Sequence, residues 1–218
     1  MGAGESTQLS AWQRIEGWLG VNQHITDAAR RGDVSRVTQL LDEGVSIIEK
    51  DEDGNTSLHV ACYEGHLDLV RLLLSRGANV DERGRVGFTA LFRAVQKEHT
   101  SIISFLLKSK ARVNIQNSYG VTPLHWASVW GASQSLRLLL QHNAKINVQQ
   151  GNGQTALHCA AIHGNLECLD ILLNHGADLA LKDSENHTAL EVASTNETLA
   201  LLSQFDDKRQ QEMKIAYQ

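Results

Sequence analysis

The sequence predicts an all-α solenoid of about six helix–turn–helix units with projecting loops. Two observations carry that reading. Threonines stand at Thr56, Thr89, Thr122, Thr155 and Thr188, a step of 33 residues each time with no insertion. Within a unit, apolar residues such as Leu67, Val70, Leu73 and Leu74 recur at the three- and four-residue spacings of one helix face. Other positions keep the same clock. Gly54, Gly87, Gly120 and Gly153 precede the threonines by two residues, and the pairs Leu40-Leu41, Leu73-Leu74, Leu106-Leu107, Leu139-Leu140 and Leu172-Leu173 repeat in phase. So small a unit cannot bury both its helices alone, and stability must come from stacking.

Each element has a local reason. The threonine hydroxyl suits the N-cap of the first helix, since it can accept one of the orphan amides of the first turn. Pro123 follows such a threonine at the one helical position where a missing N–H costs nothing. Ala61, Ala94, Ala127, Ala160 and Ala161 let neighbouring first helices approach closely, and Gly65, Gly131 and Gly164 end them. The second helix closes at Gly77 and, in another unit, at Gly176. One step back from Thr56 is Gln23, and Ile25-Thr26-Asp27-Ala28-Ala29 reads as a degenerate first copy. The repeat domain is therefore placed at residues 21–205, with units at 21–50, 51–83, 84–116, 117–149, 150–182 and 183–205.

The ends differ. Residues 1–20 form an N-terminal arm in which Leu9, Trp12, Ile15, Trp18 and Leu19 mark a short amphipathic helix, with Ser10 and Gln13 as a capping box. Such a helix either caps the degenerate first unit or is offered to a partner or membrane surface; its single cation, Arg14, weakens the membrane version. Met1 to Ser6 match the N-myristoylation pattern with Gly2 as acceptor, although one acyl chain without a basic cluster gives only transient tethering. Residues 206–218 read as a polar C-terminal tail, either a frayed helical extension or a partner-binding segment.

Thr56-Ser57-Leu58-His59, Thr122-Pro123-Leu124-His125 and Thr155-Ala156-Leu157-His158, with the variants Thr89-Ala90-Leu91-Phe92 and Thr188-Ala189-Leu190-Glu191, resemble the ankyrin repeat family over about residues 20–205. The resemblance implies that His59, His125 and His158 bond neighbouring turns, and that loops and first-helix ends line a concave groove that contacts proteins. Carried over by phase, it picks out Tyr63, Arg85, Phe88, Lys97, Tyr119, Val121, Val129, Trp130, Ile162 and His163. Six of these (Phe88, Tyr119, Val121, Val129, Trp130 and Ile162) are large apolar or aromatic side chains expected to be open to water, with Tyr119 and Trp130 at the centre. Trp126 is expected to be partly buried. The resemblance also implies asparagine hydroxylation at Asn114 and Asn147. Unit three departs most, with Phe92 for the histidine and Glu98 and Lys110 for two glycines, and is expected to be the weakest. Unit four has Asn143 for glycine, a mild change, and unit six has Asn186, Glu191 and Glu197, as suits a terminal cap.

Composition narrows the function. Lys+Arg 20 against Asp+Glu 25 gives a net charge of −5, contrary to the cationic surface a nucleic-acid binder needs. No apolar run approaches a membrane span, and no secretion signal opens the chain. Three unpaired cysteines fit a reducing compartment, cytoplasmic or also nuclear. His158, Cys159, His163 and Cys168 are the densest set of ligand-type residues, but they fall on two helices of a regular repeat rather than on a zinc knuckle. No phosphate loop, nucleophile elbow or kinase signature is present. The expectation is a non-enzymatic monomer without cofactor or metal, an adaptor or scaffold binding one or more proteins in its groove. The alternatives are an inhibitor or assembly chaperone of a single partner complex, of the kinase, transcription-factor or proteasome type, or a lipid-tethered scaffold through Gly2.

Overall fold

The computed structural model describes residues 24–216, so the expected N-terminal helix and Gly2 lie outside the described residues. Helices come in pairs: α1 (Ile25–Arg30) with α2 (Val34–Asp42), α3 (Ser57–Glu64) with α4 (Leu67–Ser75), and α5 (Ala90–Gln96) with α6 (Thr100–Lys108). They continue as α7 (Pro123–Trp130) with α8 (Ser133–Gln141) and α9 (Ala156–His163) with α10 (Leu166–Asn174). First helices pack on first helices and second on second, giving two layers around one continuous apolar core. The small residues sit where the sequence requires them: Ala61, Ala94, Ala127 and Ala160 are fully buried between adjacent first helices. The degenerate first unit is a genuine pair, with Ile25, Ala28, Ala29 and Val37 fully buried.

Unit six is different. Ala189 and Leu190 lie in turns rather than a first helix, and a single long helix, α11 (Asn196–Ala216), follows and packs on α10. Glu197 therefore ends no helix and stands instead in the first turn of α11. The helix runs unbroken across residues 205 and 206, the boundary at which the sequence predicts a polar tail. Glu191, in the histidine position, accepts hydrogen bonds from the Thr188 amide at 2.7 Å and hydroxyl at 2.9 Å, so a carboxylate replaces the imidazole at the end of the stack.

The repeat histidines work as the motif implies. The Thr56 amide donates to Nδ1 of His59 at 3.2 Å, which leaves Nε2 as the protonated nitrogen, donating to the carbonyls of Glu82 and Phe88 at 3.0 Å. His125 and His158 repeat the arrangement, reaching the carbonyls of Gln154 and His187 at 3.1 Å. Each ring thus ties a helix start to the loop of the following unit. Burial pushes the His59 and His125 imidazoles down to about 4, because a charged ring would lose its water.

Unit three shows why its departures survive. In units one and two the glycine ending the first helix leaves space for a histidine of the next unit. A Cβ at Gly65 would stand 2.7 Å from His99, whose Nε2 bonds the Tyr63 carbonyl at 3.0 Å. At the same phase Glu98 has a Cβ and a left-handed φ of 54°, but its neighbour is the smaller Ala132. The Glu98 carboxylate then accepts the Gln134 and Ser135 amides at 3.2 and 3.4 Å, capping α8. Lys110, with φ 67°, has no such return. Lys110→Gly is therefore expected to stabilise the protein by about 1 kcal/mol, read as a higher urea midpoint. Glu98→Gly should give no gain, since relief of strain is offset by two amides left without their acceptor. A midpoint lowered by Lys110→Gly would contradict this account.

Candidate functional site

The loops that open units two, four and six are built on a side chain. Asp51, Asn117 and Asp183 each accept, through Oδ1, the amides two and four residues on, at 2.8 to 3.1 Å. Unit three has Gly84 there, and a Cβ at Gly84 would meet Asn55 Oδ1, the Gly54 carbonyl and His59 Nε2, all at 3.3 Å. Without that acceptor the loop closes as a 3-10 turn, Arg85–Gly87, with Val86 at φ 61°. A β-branched residue in that conformation is strained. The Val86 carbonyl nonetheless accepts the Ser118 amide at 2.9 Å, as the Tyr119 and Asn152 carbonyls accept the amides of Gly151 and Ser184. The loops are thereby stitched into a row.

Against this row lies a line of aromatic rings. Phe92, in the histidine position, is 1% exposed. It meets Phe88 edge-on at 5.1 Å, and Trp126 lies 5.6 Å from Phe88 and 6.5 Å from Phe92. Trp130 continues the line at 6.2 Å from Trp126 and is 64% exposed, while Tyr119, on the adjacent loop, is 67% exposed. The Trp126 Nε1 donor is buried without a partner. Towards unit two the line turns cationic. The Arg93 guanidinium stands 5.1 Å from the Phe88 ring and 5.9 Å from that of Tyr63, and the Lys97 ammonium 4.7 Å from Tyr63. Arg93 also donates to Asn55 Oδ1 at 2.9 Å and Gln96 Oε1 at 3.2 Å, beside a polar cavity of about 270 Å³ that Asp51 and Asp53 help line.

Of the six apolar side chains expected to be open to water, only Tyr119 and Trp130 are. Phe88, Val121, Val129 and Ile162 are half-buried, Phe88 because two rings and a guanidinium cover it. Tyr63 is half-buried under cations, whereas Arg85, Lys97 and His163 are exposed; Arg85 pairs with Asp53 at 3.4 Å. Arg93, Phe92 and Trp126, outside the ten positions that phase picks out, hold the surface together. The signal was present: Phe92 and Trp126 sit on neighbouring first helices one unit and one residue apart.

The implied hydroxylation sites are engaged in structure. Asn114 donates to the Asn143 carbonyl at 3.2 Å and accepts the Lys145 amide at 2.8 Å, and Asn147 accepts the Asp178 amide at 2.9 Å. Cys62, Cys159 and Cys168 are buried free thiols. Burial pushes Cys159 and Cys168 up to about 12 and raises Cys62 as well, so none is a ready nucleophile. Among the described residues, no group of three or more His, Cys, Asp and Glu could hold a metal ion, and no helix is long and apolar enough to cross a membrane.

A family model described as ankyrin repeats (many copies) matches residues 25–74, 58–107, 97–140 and 124–173. None of the curated proteins compared with the chain matches it.

Proposed function

Since the chain belongs to the ankyrin repeat family, whose repeats generally mediate protein–protein interaction and are typically non-enzymatic, we propose that it is an adaptor seating a partner protein on the surface of units three to five. The observation that carries this reading is the pair of rings at Tyr119 and Trp130, each about two-thirds exposed beside a buried aromatic row. Large rigid aromatics held at the edge of a packed cluster lose little entropy on binding, and they dominate interfaces energetically. The neighbouring cations Arg93 and Lys97 would fix register and favour carboxylates.

The test is a cross-linked pull-down analysed by mass spectrometry, comparing the native chain with Tyr119→Ala/Trp130→Ala. Both rings are exposed, so the variant should retain the native circular dichroism and urea midpoint. Partners are expected to be lost, each truncation weakening binding by about 30-fold if it removes a hot spot of about 2 kcal/mol. Retention of the same partners by the folded variant would overturn this assignment of the surface.

A further inference from the structure

A second surface shares no lining residue with the aromatic row. Where the loops after α4, α6 and α8 lie side by side there is an open groove of about 820 Å³, lined by Arg83, Lys110, Arg112 and Lys145 together with Asn114 and Gln116 among others. No carboxylate lines it. Arg112 is held by Asp81 at 2.9 Å from the rim, and Arg83 donates to the neutral carbonyl of Gln116 at 3.2 Å. Among the described residues Arg83, Lys110 and Lys145 make no ion pair, and Lys110 and Lys145 are exposed. This is a concentration of positive charge in a chain whose net charge is −5.

The repeat phase shows that Lys110, Arg112 and Lys145 belong to this place rather than to the fold, whereas the phase of Arg83 also carries Lys50 and Lys182. At the phase of Lys110 other units carry Gly44, Gly77, Asn143 and Gly176; at that of Arg112 and Lys145 they carry Ser46, Asn79 and Asp178. Lys110 keeps its cation despite a left-handed backbone that glycine would satisfy without strain.

We infer that this groove is a docking site for an acidic, extended segment of a partner protein. Its cations come from units two, three and four. At roughly 10 Å between neighbouring helices they span about 20 Å, which an extended chain of about six residues covers. A nucleic acid fits less well: no aromatic side chain lines the groove for bases to stack on, and the rest of the molecule repels a long polyanion.

Fluorescence anisotropy of the full chain with fluorescein-hexaglutamate tests the proposal, with fluorescein-hexaglutamine as the uncharged reference. Hexaglutamate should bind at low salt, weaken as salt is raised, and outcompete hexaglutamine. Arg83→Gln/Lys110→Gly/Lys145→Gln should lose about tenfold or more in affinity. Removing Lys110 relieves strain, so this variant should stay folded, which circular dichroism verifies. Tyr119→Ala/Trp130→Ala should bind hexaglutamate as the native chain does, which separates this groove from the aromatic surface. Absence of hexaglutamate binding, equal binding by the triple variant, loss in the aromatic variant, or tighter binding of a fluorescein-labelled thymidine hexamer would each overturn it.

Discussion

Acidification from pH 7 towards pH 4 is expected to remove most of the protein's stability, well before its carboxylates are fully protonated. The imidazoles of His59 and His125 are held down to about 4 by burial, against an ordinary 6.5 in the unfolded chain. Between those values the unfolded state binds protons that the folded state refuses, so unfolding free energy rises with pH across that window. The contribution is complete above pH 6.5 and is lost as pH falls to about 4. Two and a half units correspond to roughly 3 kcal/mol for each ring, against a total of about 5–15 kcal/mol for a domain of ordinary stability. Asp178, held low by the Ala180 amide and by Arg209, adds loss in the same direction at more acid pH. His24, raised by its hydrogen bond to Glu49, opposes slightly, because its contribution is present below pH 6.5 and lost above it. Urea midpoints by circular dichroism at pH 7, 6, 5 and 4.5 should fall steadily. His59→Gln/His125→Gln should start lower at pH 7, since Gln cannot bridge both partners, yet decline much less between pH 6.5 and 4. Parallel declines for the native chain and this variant would show that the rings are not the source.

The same rings mark what the sequence makes legible. A threonine followed three residues on by histidine is a local relation repeated in register, so the cap, the helix start and the tie to the next unit can all be read without a structure. The left-handed residues are equally readable: Glu98, Lys110, Asn143 and Asn186 occupy glycine phases and adopt φ between 54° and 68°. Less accessible are outcomes that depend on what a neighbour lacks. Glu98 is tolerated because Ala132 vacates space one unit away, and Val86 is strained because Gly84 has no carboxamide or carboxylate to hold the loop. The exposed apolar strip is narrower than its phase predicts for a related reason. Phase places Phe88 and Tyr119 on equivalent loops, but only Phe88 finds Phe92, Trp126 and Arg93 within reach. Unit six keeps its threonine and apolar residues, yet Ala189 and Leu190 lie in turns and the chain passes into the long α11.

Phe92→Ala is expected to be the most damaging single substitution in units three to five. The side chain is 1% exposed and touches both Phe88 and Trp126, so truncation opens a cavity at the junction of units three and four. A buried phenylalanine removed in this way costs about 3–5 kcal/mol. The position matters as much as the magnitude. Unit three already carries Val86, Glu98 and Lys110 in left-handed geometry, and in a stacked array each unit is held only by its neighbours. Further weakening there should uncouple units one and two from units four to six, replacing one transition by two. Cysteines report the two sides: Cys62 lies in unit two and Cys168 in unit five, both 1% exposed or less and chemically silent while folded. In the native chain both should become reactive towards a thiol reagent over one urea range. In Phe92→Ala they should separate, with the residue on the weaker side exposed first. Phe92→His should be milder, because the imidazole can reach the Thr89 amide as His59 reaches that of Thr56, although it fills less of the space against Trp126. Coincident exposure of the two cysteines in Phe92→Ala, with a midpoint near that of the native chain, would mean that unit three is not the weak joint and that the aromatic row is ornament on a stack held elsewhere.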